Sequence, residues 1–317
     1  MAIYTIQNTV LQPVSIKKFD LERDIQRLTE ENLKTVFGLT FVSGSLNQEF
    51  LVRALEQDYY IDTLAFDEEQ KSFAIIEYKK DKNTSVIDQG FAYLSAMLNQ
   101  KADFVLELNK RLRKTFAKDD IDWEQSRVIF ISPEFTTYQR GAINFKDLPI
   151  LLYEVRLYDN GTLEYVSIKP HRTAESVGSL SKNKIIQKVS KEVKVYTVDD
   201  LVKQNWTDTR ALLDDLEKAL LSTEIESRVK YTKFYIAYLS KHGRNYVEVV
   251  PQQQGLKVYF RFPYNYVQSS LKLSDCSKIG RLANGDSFTH ITESTQISEV
   301  VSLAKKSFQY FHRDIQK

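Results

Sequence analysis

Three charged side chains between positions 62 and 79 have the types and spacing that metal-assisted hydrolysis requires. Asp62 precedes a Glu-Tyr-Lys sequence that contains Glu77 and Lys79. Two carboxylates suit a hard cation such as Mg²⁺, which polarises a phosphate and acidifies water, and an ammonium group stabilises negative charge in the transition state. The pattern predicts phosphodiester hydrolysis. Ordinary charges on a solvated strand are the alternative, because Glu and Lys are common there.

The segments that carry these residues form a predicted β-hairpin. Residues 60–66 and 72–79 are rich in aromatic, β-branched and apolar side chains, and the polar run 67–71 separates them. If the hairpin is symmetric about a turn at Glu69 and Gln70, the numbers of paired residues sum to 139. Asp62 then faces Glu77, with Cβ atoms about 4.5–5.5 Å apart. Lys79 then lies about 6.6 Å farther along the same face. Four apolar residues share that face, namely Leu64, Phe66, Phe73 and Ile75, and the opposite face carries Thr63, Ala65, Ala74, Ile76 and Tyr78.

Helices and further strands surround this hairpin in the predicted order of elements. Apolar periodicity predicts a first helix over residues 21–37 that ends at Gly38, and a second helix that begins near Thr84 or Ser85. The inner face of the second helix would carry Ile87, Phe91, Leu94 and Leu98. Further elements are a helix at 103–118, a strand at 127–132, a helix at 135–144, a strand at 151–155 and a hairpin at 157–168 that turns at Asp159-Asn160-Gly161.

The length of 317 residues predicts two domains. The first would span residues 1–168, and residues 169–204, rich in Ser and Lys, are predicted as a linker. The second would span residues 205–317 as a smaller α+β domain. Its predicted elements are helices at 209–221 and 297–311 and strands at 234–239, 246–250 and 256–262, with a loop around Gly280 and Gly285.

Composition narrows the kinds of site that the chain can form. Cys276 is the only cysteine and the four histidines are scattered, which excludes a disulfide framework and a Cys/His zinc site and leaves oxygen ligands for any metal. Residues 1–166 have a net charge of −6 and residues 167–317 a net charge of +8, which fits either nucleic-acid binding or the surfaces of two unrelated domains. Without a signal-peptide pattern or an apolar stretch of about 18 residues, the cytoplasm is the expected location.

Three motifs, taken in order, resemble the PD-(D/E)XK, or restriction-endonuclease-like, nuclease superfamily. They are Ile61-Asp62-Thr63-Leu64, Ile75-Ile76-Glu77-Tyr78-Lys79 and Gln89-Gly90-Phe91-Ala92-Tyr93-Leu94. The resemblance covers residues 20–166 and points to a bacterial branch of the superfamily. Ile61 stands where the name motif has Pro, a variation that the superfamily tolerates.

The resemblance implies a fold and a set of site residues. The fold would be α/β, with a restriction-endonuclease-like central mixed sheet flanked by helices. Asp62 and Glu77 would bind Mg²⁺, for which Mn²⁺ would substitute, and Lys79 would assist the attacking water. Gln89 and Tyr93, four residues apart on one helix face, would point to the site, and a packing pair is the alternative. Glu31 of the first helix would be a further metal ligand, and a solvated helix acid is the alternative.

The activity that the resemblance implies is that of a Mg²⁺-dependent endonuclease that cuts nucleic acid, with DNA favoured over RNA. Many proteins of this kind cut as pairs, so a homodimer is a further expectation. A catalytically silent module, which keeps the fold and binds nucleic acid or assembles with a partner, is the alternative function.

The second domain resembles a module that is often labelled a predicted transport protein, through residues 229–238, 255–260 and Gly285-Asp286. We do not adopt the label, because nothing in the sequence can span a membrane. Aromatic and basic residues of the module predict either a surface that binds nucleic acid or core packing: Lys230, Lys233, Tyr235, Tyr259, Arg261 and Tyr264.

Overall fold

The computed structural model describes residues 2–19, 21–53, 58–79, 86–143, 148–168, 184–241, 243–276 and 283–311. The chain divides into two compact units, residues 1–195 and residues 196–317. The predicted helix caps Thr84 and Ser85, and the predicted loop residue Gly280, lie outside the described residues.

A mixed β-sheet of seven strands is the centre of the N-terminal unit. The strands of this unit are β1 (Ile3–Gln7), β2 (Val10–Val14), β3 (Ile16–Lys17), β4 (Thr40–Ser43), β5 (Phe50–Arg53), β6 (Asp58–Ile61), β7 (Thr63–Asp67), β8 (Ser72–Tyr78), β9 (Arg127–Ser132), β10 (Ile150–Tyr158) and β11 (Leu163–Ile168). The order in the sheet is β11-β10-β9-β8-β7-β4, with β3 on the end of β10. Strands β8, β9 and β10 are parallel, and the other pairs are antiparallel. The predicted α/β class is confirmed.

The hairpin of β7 and β8 has the predicted register. Thr63 pairs with Ile76, and Phe66 pairs with Phe73. Strand β8 is buried along its whole length because β7 and β9 flank it and helices cover both faces of the sheet. A strand in that position needs apolar residues in both alternating sets, which the sequence supplies.

Helices form a layer on each face of this sheet. They are α1 (Glu22–Glu31), α2 (Leu33–Phe37), α3 (Val86–Asn99), α4 (Lys101–Leu112), α5 (Thr137–Ala142) and α6 (Lys184–Glu192). Side chains of α3, α4 and α6 pack in one core with Leu64, Phe66, Phe73 and Ile75. Side chains of α1 and α2 pack in another core with Ala65, Ala74, Ile76 and Tyr78. The predicted division of the hairpin into two faces is therefore confirmed.

Helix ends differ from the sequence predictions at three places. The predicted helix over 21–37 is two helices, because Asn32 leaves the helical conformation, and Gly38 ends the second helix in the left-handed conformation as predicted. Helix α4 ends at Leu112 rather than at residue 118, because Arg113 adopts the left-handed conformation with φ 52°. Helix α5 is shorter than the predicted 135–144.

Residues 184–192 correct the predicted linker, since they form helix α6 of the N-terminal unit. Val189 is fully buried in the same core as α3. Lys188 Nζ donates to Asn99 Oδ1 at 2.7 Å, and Glu192 pairs with Lys101 at 3.0 Å. Lys188 and Lys191 therefore lie on a helix whose apolar side is packed. Residues 169–183 of the predicted linker lie outside the described residues.

Two small sheets, which the sequence did not predict, precede the hairpin of β7 and β8 in the chain. Strands β1 and β2 form one, and β5 and β6 form the other. Strand β6 stops at Ile61 and β7 starts at Thr63, so Asp62 lies in a bend between them. The predicted single strand 60–66 is thus two strands, and its break falls at the acidic residue.

The C-terminal unit is α+β, as predicted. Its helices are α7 (Val198–Leu201), α8 (Thr207–Leu221) and α9 (Ile297–Phe311), and its strands are β12 (Ser227–Tyr231), β13 (Ile236–Ser240), β14 (Asn245–Gln252), β15 (Gly255–Phe260), β16 (Ser274–Asp275) and β17 (Ser287–Ile291). The sheet order is β12-β13-β14-β15-β17-β16, with antiparallel neighbours. Helices α8 and α9 pack on one face of it. In the described parts of both units, no helix has the length and apolarity that crossing a bilayer needs.

Candidate active site

Glu77 and Asp62 come together at the carboxyl end of the central strand β8. Glu77 is the last but one residue of β8, which runs parallel to β9 and β10. Ligands of open α/β sheets commonly bind at this edge. Asp62 Oδ2 accepts a hydrogen bond of 3.1 Å from the backbone N–H of Tyr78, which holds the aspartate against the end of the same strand. The register of the hairpin thus brings the two predicted acids to one edge.

The Glu77 carboxylate is buried and only half satisfied. Its residue is 4% exposed. Oε1 accepts from Lys79 Nζ and from Gln89 Nε2, each at 2.8 Å. Oε2 is buried as well and has no hydrogen-bond partner. A buried carboxylate oxygen without a donor is costly, so this atom calls for a positive ligand or a water molecule.

Helix α3 supplies the amide and the phenol that surround Glu77. Gln89 and Tyr93 are one turn apart, and Gln89 Nε2 also lies 3.0 Å from Tyr93 Oη. Tyr93 Oη donates to the carbonyl of Tyr60 at 3.3 Å. Burial and the charge of Glu77 raise the pKa of Tyr93, so the phenol keeps its proton and can donate.

Gly90 allows α3 to lie close enough to the sheet for these contacts. A Cβ atom at this position would stand 2.5 Å from Ile150 Cδ1 and 3.4 Å from Phe130 Cε2. The missing side chain therefore sets the spacing between helix and strands, and Gln89 beside it reaches Glu77.

Asp62 holds its proton more tightly than an ordinary aspartate. Burial first, and then the charge of Glu77, raise the pKa of Asp62 from 3.8 to about 7, against the opposing effects of the Tyr78 N–H and the Lys79 charge. Two neighbouring carboxylates that are partly shielded from water repel each other when both are negatively charged, which disfavours the ionisation of both. A cation between them would remove this repulsion.

The residues present fit a small divalent cation. Two buried acceptor atoms, Glu77 Oε2 and Gln89 Oε1, lack hydrogen-bond partners and lie at the same edge as Asp62. Within the described part of the chain, no group of three His, Cys, Asp or Glu side chains could hold a metal ion together. Asp62 and Glu77 are the residues that could hold such an ion, since Mg²⁺ is commonly bound through one or two carboxylates and keeps several waters.

Comparison with known proteins adds one relative. An uncharacterised protein of Haemophilus influenzae is 37% identical over 312 residues, which cover 98% of this chain and 100% of the relative. This chain belongs to the same family. No protein-family model matches it, and no solved structure does.

The structure does not bring Glu31 to the site. Its carboxylate is 46% exposed and pairs with Arg27 Nε at 3.1 Å. The prediction of Glu31 as a metal ligand is therefore wrong in position, and the alternative of a solvated helix acid describes it. The helix phase explains the difference: Glu30 lies four residues after the buried Gln26 and shares its face of α1, whereas Glu31 lies four residues after the exposed Arg27.

Buried polar residues of α1 support the site instead. Gln26 Nε2 donates to the Asp62 carbonyl at 2.8 Å and to Glu30 Oε1 at 3.1 Å. Glu30, 3% exposed, accepts further hydrogen bonds from the Ser45 N–H and hydroxyl, the Leu46 N–H and the Thr63 hydroxyl, at 2.5 to 3.1 Å. Its carboxylate is satisfied by these donors and fixes the segment 44–46 to the start of β7.

Glu22 is a further acid of α1 that sequence reasoning missed. Its charge contributes to the raised pKa of Asp62. The helix phase carries the signal, because Glu22, Gln26 and Glu30 are four residues apart and line one side of the helix.

The aromatic and basic residues predicted for the C-terminal unit divide between core and surface. Tyr235 and Tyr259 are buried. Arg261 is held by the carbonyls of Asn245 and Asn284. Tyr264 is 47% exposed. Core packing therefore holds for Tyr235 and Tyr259, and a surface that binds nucleic acid stays a prediction.

Proposed function

We propose that the N-terminal unit is a divalent-metal-dependent phosphodiesterase that cuts nucleic acid internally, with DNA favoured over RNA. The observation that carries the proposal is the unpartnered buried oxygen of Glu77 at the edge where Asp62, Lys79 and Gln89 converge. An antiparallel hairpin that leads into parallel strands, with helices on both faces, supports a restriction-endonuclease-like fold.

Each residue of the site has a separate task in this proposal. Asp62 and Glu77 would hold Mg²⁺ or Mn²⁺, and the bound cation would polarise the phosphate and acidify water. Gln89 and Lys79 orient the Glu77 carboxylate through Oε1, which leaves Oε2 for the ligand. The Lys79 ammonium, whose side chain is 18% exposed, lies where it can stabilise negative charge on a phosphate. Tyr93 holds the Tyr60 carbonyl and, through Gln89, the geometry of α3.

A cleavage panel tests the proposal. The full-length protein is incubated with labelled single-stranded, duplex and branched DNA and with RNA, in the presence of Mn²⁺ or Mg²⁺. We expect cutting of at least one DNA substrate, and a loss of at least about 100-fold in Glu77→Gln and in Lys79→Ala. Glu31→Gln is the matched control and should cut like the wild type. Intact substrates throughout, or full activity of Lys79→Ala, would refute the proposal.

A catalytically silent module is the second candidate, and one observation favours it. The described acids near Asp62 do not form a three-ligand group, and the Lys79 ammonium is engaged by Glu77. Isothermal titration with Mn²⁺ separates the two functions. Heat of binding that disappears in Asp62→Asn supports the enzyme, and the absence of binding to the wild type supports the silent module.

A further inference from the structure

A groove of the N-terminal unit reaches Tyr60, two residues before Asp62 in the chain. It has a volume of about 870 Å³. It is formed by α1, the segment 44–49, β5 and β6, through Arg23, Arg27, Gly44, Ser45, Leu46, Asn47, Gln48, Glu49, Leu51 and Tyr60. None of the lining side chains is a metal ligand or a charge-stabilising group in the proposed hydrolysis, so the groove itself is not accounted for by the site chemistry.

Backbone atoms connect the groove residues to the residues around the acidic pair. The carbonyl of Tyr60 accepts from Tyr93, which contacts Gln89 at the site. Gly44 packs against the carbonyl of Asp62, since a Cβ atom on Gly44 would stand 2.9 Å from that oxygen. The groove is therefore packed against the backbone of the segment that carries Asp62.

The charge of the groove suits an anion. Arg23 and Arg27 are one helical turn apart on α1, with a rise of about 6 Å between them, and Glu49 is the one acidic residue among the lining residues. Arg23 is exposed and makes no hydrogen bond or ion pair with the described residues. Arg27 pairs with Glu31, but its side chain is 71% exposed, and exposed pairs of this kind contribute little and exchange readily for a phosphate.

An exposed aromatic ring stands beside these arginines. Tyr60 is 61% exposed, while its own carbonyl is fixed by Tyr93. Aromatic faces next to a basic track bind bases by stacking, and this requires bases that are not already stacked inside a duplex.

We propose that this groove binds an unpaired stretch of nucleic acid next to the bond that is cut, with Arg23 and Arg27 on successive phosphates and Tyr60 stacked on a base. The inference rests on the proposed function for the direction of the strand towards Asp62, and it adds the substrate class: single-stranded nucleic acid, or a duplex with an unpaired flank.

Binding without cleavage tests the groove directly. Fluorescence anisotropy is measured in EDTA with labelled oligothymidylate and with a closed hairpin duplex. We expect the wild type to bind the single strand several-fold more tightly. Arg23→Gln/Arg27→Gln should lower the slope of log affinity against log salt by about 1.4, because each phosphate contact of a single strand contributes about 0.7. Tyr60→Leu should weaken single-strand binding about tenfold and leave duplex binding unchanged.

The control variant removes the same charge elsewhere in this unit. Lys34→Gln/Lys110→Gln changes two exposed lysines that do not line the groove, and it should keep the salt slope of the wild type. Circular dichroism melting confirms that every variant is folded. Equal single-strand affinity in the wild type, the double arginine variant and Tyr60→Leu would overturn the inference, as would preferential binding of the duplex or of an acidic phosphopeptide.

Cleavage in Mn²⁺ separates this inference from the proposed function. If the wild type cuts and the groove variants bind and cut equally well, the groove assignment is wrong and the phosphodiesterase stands. If the wild type binds single strands through the groove and never cuts, the phosphodiesterase is wrong and the groove assignment stands.

Discussion

Replacement of Asp62 by Asn should stabilise the metal-free protein above neutral pH. The asparagine keeps an oxygen for the Tyr78 N–H and removes the charge that burial and Glu77 oppose. The folded chain holds the Asp62 proton up to about pH 7, whereas the unfolded chain releases it near pH 4. The wild type therefore loses stability as the pH rises from about 4 to about 7, and the full penalty is present above pH 7.

The size of the effect follows from the two pKa values. The interval from 3.8 to about 7 corresponds to about 4 kcal/mol if taken in full. Asp62 is only half-buried, so solvent screening reduces this, and we expect about 2 kcal/mol. For a unit of this size that is a rise in Tm of about 4–8 °C.

Urea unfolding in EDTA at pH 5 and at pH 8 measures this difference. Asp62→Asn should exceed the wild type at pH 8 by about 2 kcal/mol and by much less at pH 5. Saturating Mn²⁺ should reverse the order, because it stabilises only the protein that binds it, by about 2.7 kcal/mol at 100 times Kd. The exposed Asp58→Asn is the control and should match the wild type. A variant that is less stable than the wild type at pH 8 would refute the raised pKa as the cause.

Three further changes test the supports of the site. Gln89→Leu removes the amide donor to Glu77 and should lower both Mn²⁺ affinity and cleavage about 10–100-fold, with an unchanged melting curve as the check on folding. Gly44→Ala places a methyl group against the Glu30 carboxylate and 2.9 Å from the Asp62 carbonyl and should cost about 1–3 kcal/mol in urea unfolding; an unchanged midpoint would contradict the close packing. Val189→Ala, in the stretch predicted as a linker, should cost about 2 kcal/mol because Val189 is fully buried, whereas a true linker would show no change.

The hairpin and its two faces could be predicted because local rules decide them. A polar turn between two apolar runs fixes the register, and alternation then assigns each side chain to a face. The result holds for Leu64 and Phe73 on one side and Ala65 and Ala74 on the other. The same rule predicted Asp62 opposite Glu77; the observed pairing begins at Thr63 and Ile76, and Asp62 lies in the bend that separates β6 from β7.

The missed features depend on contacts between distant parts of the chain. Helix α6 looked like a linker because its exposed side is lysine-rich, and its burial follows from α3, which lies far away in sequence. Glu31 was predicted to face the metal, but the inward face of α1 carries Gln26 and Glu30, and that face is set by contacts with Asp62 and Thr63, which lie far away in sequence. The groove combines α1 with the segment 44–49 and Tyr60, and no local pattern joins these pieces.

Glu30 makes several positions of this family dependent on one another. One carboxylate accepts from Gln26, Ser45, Leu46 and Thr63. Loss of one side-chain donor leaves the buried Glu30 carboxylate with too few hydrogen bonds. Loss of Glu30 leaves all of these donors without an acceptor. Homologues that lack Glu30 should therefore also carry other residues at the positions of Gln26, Ser45 and Thr63, so that the four positions change together.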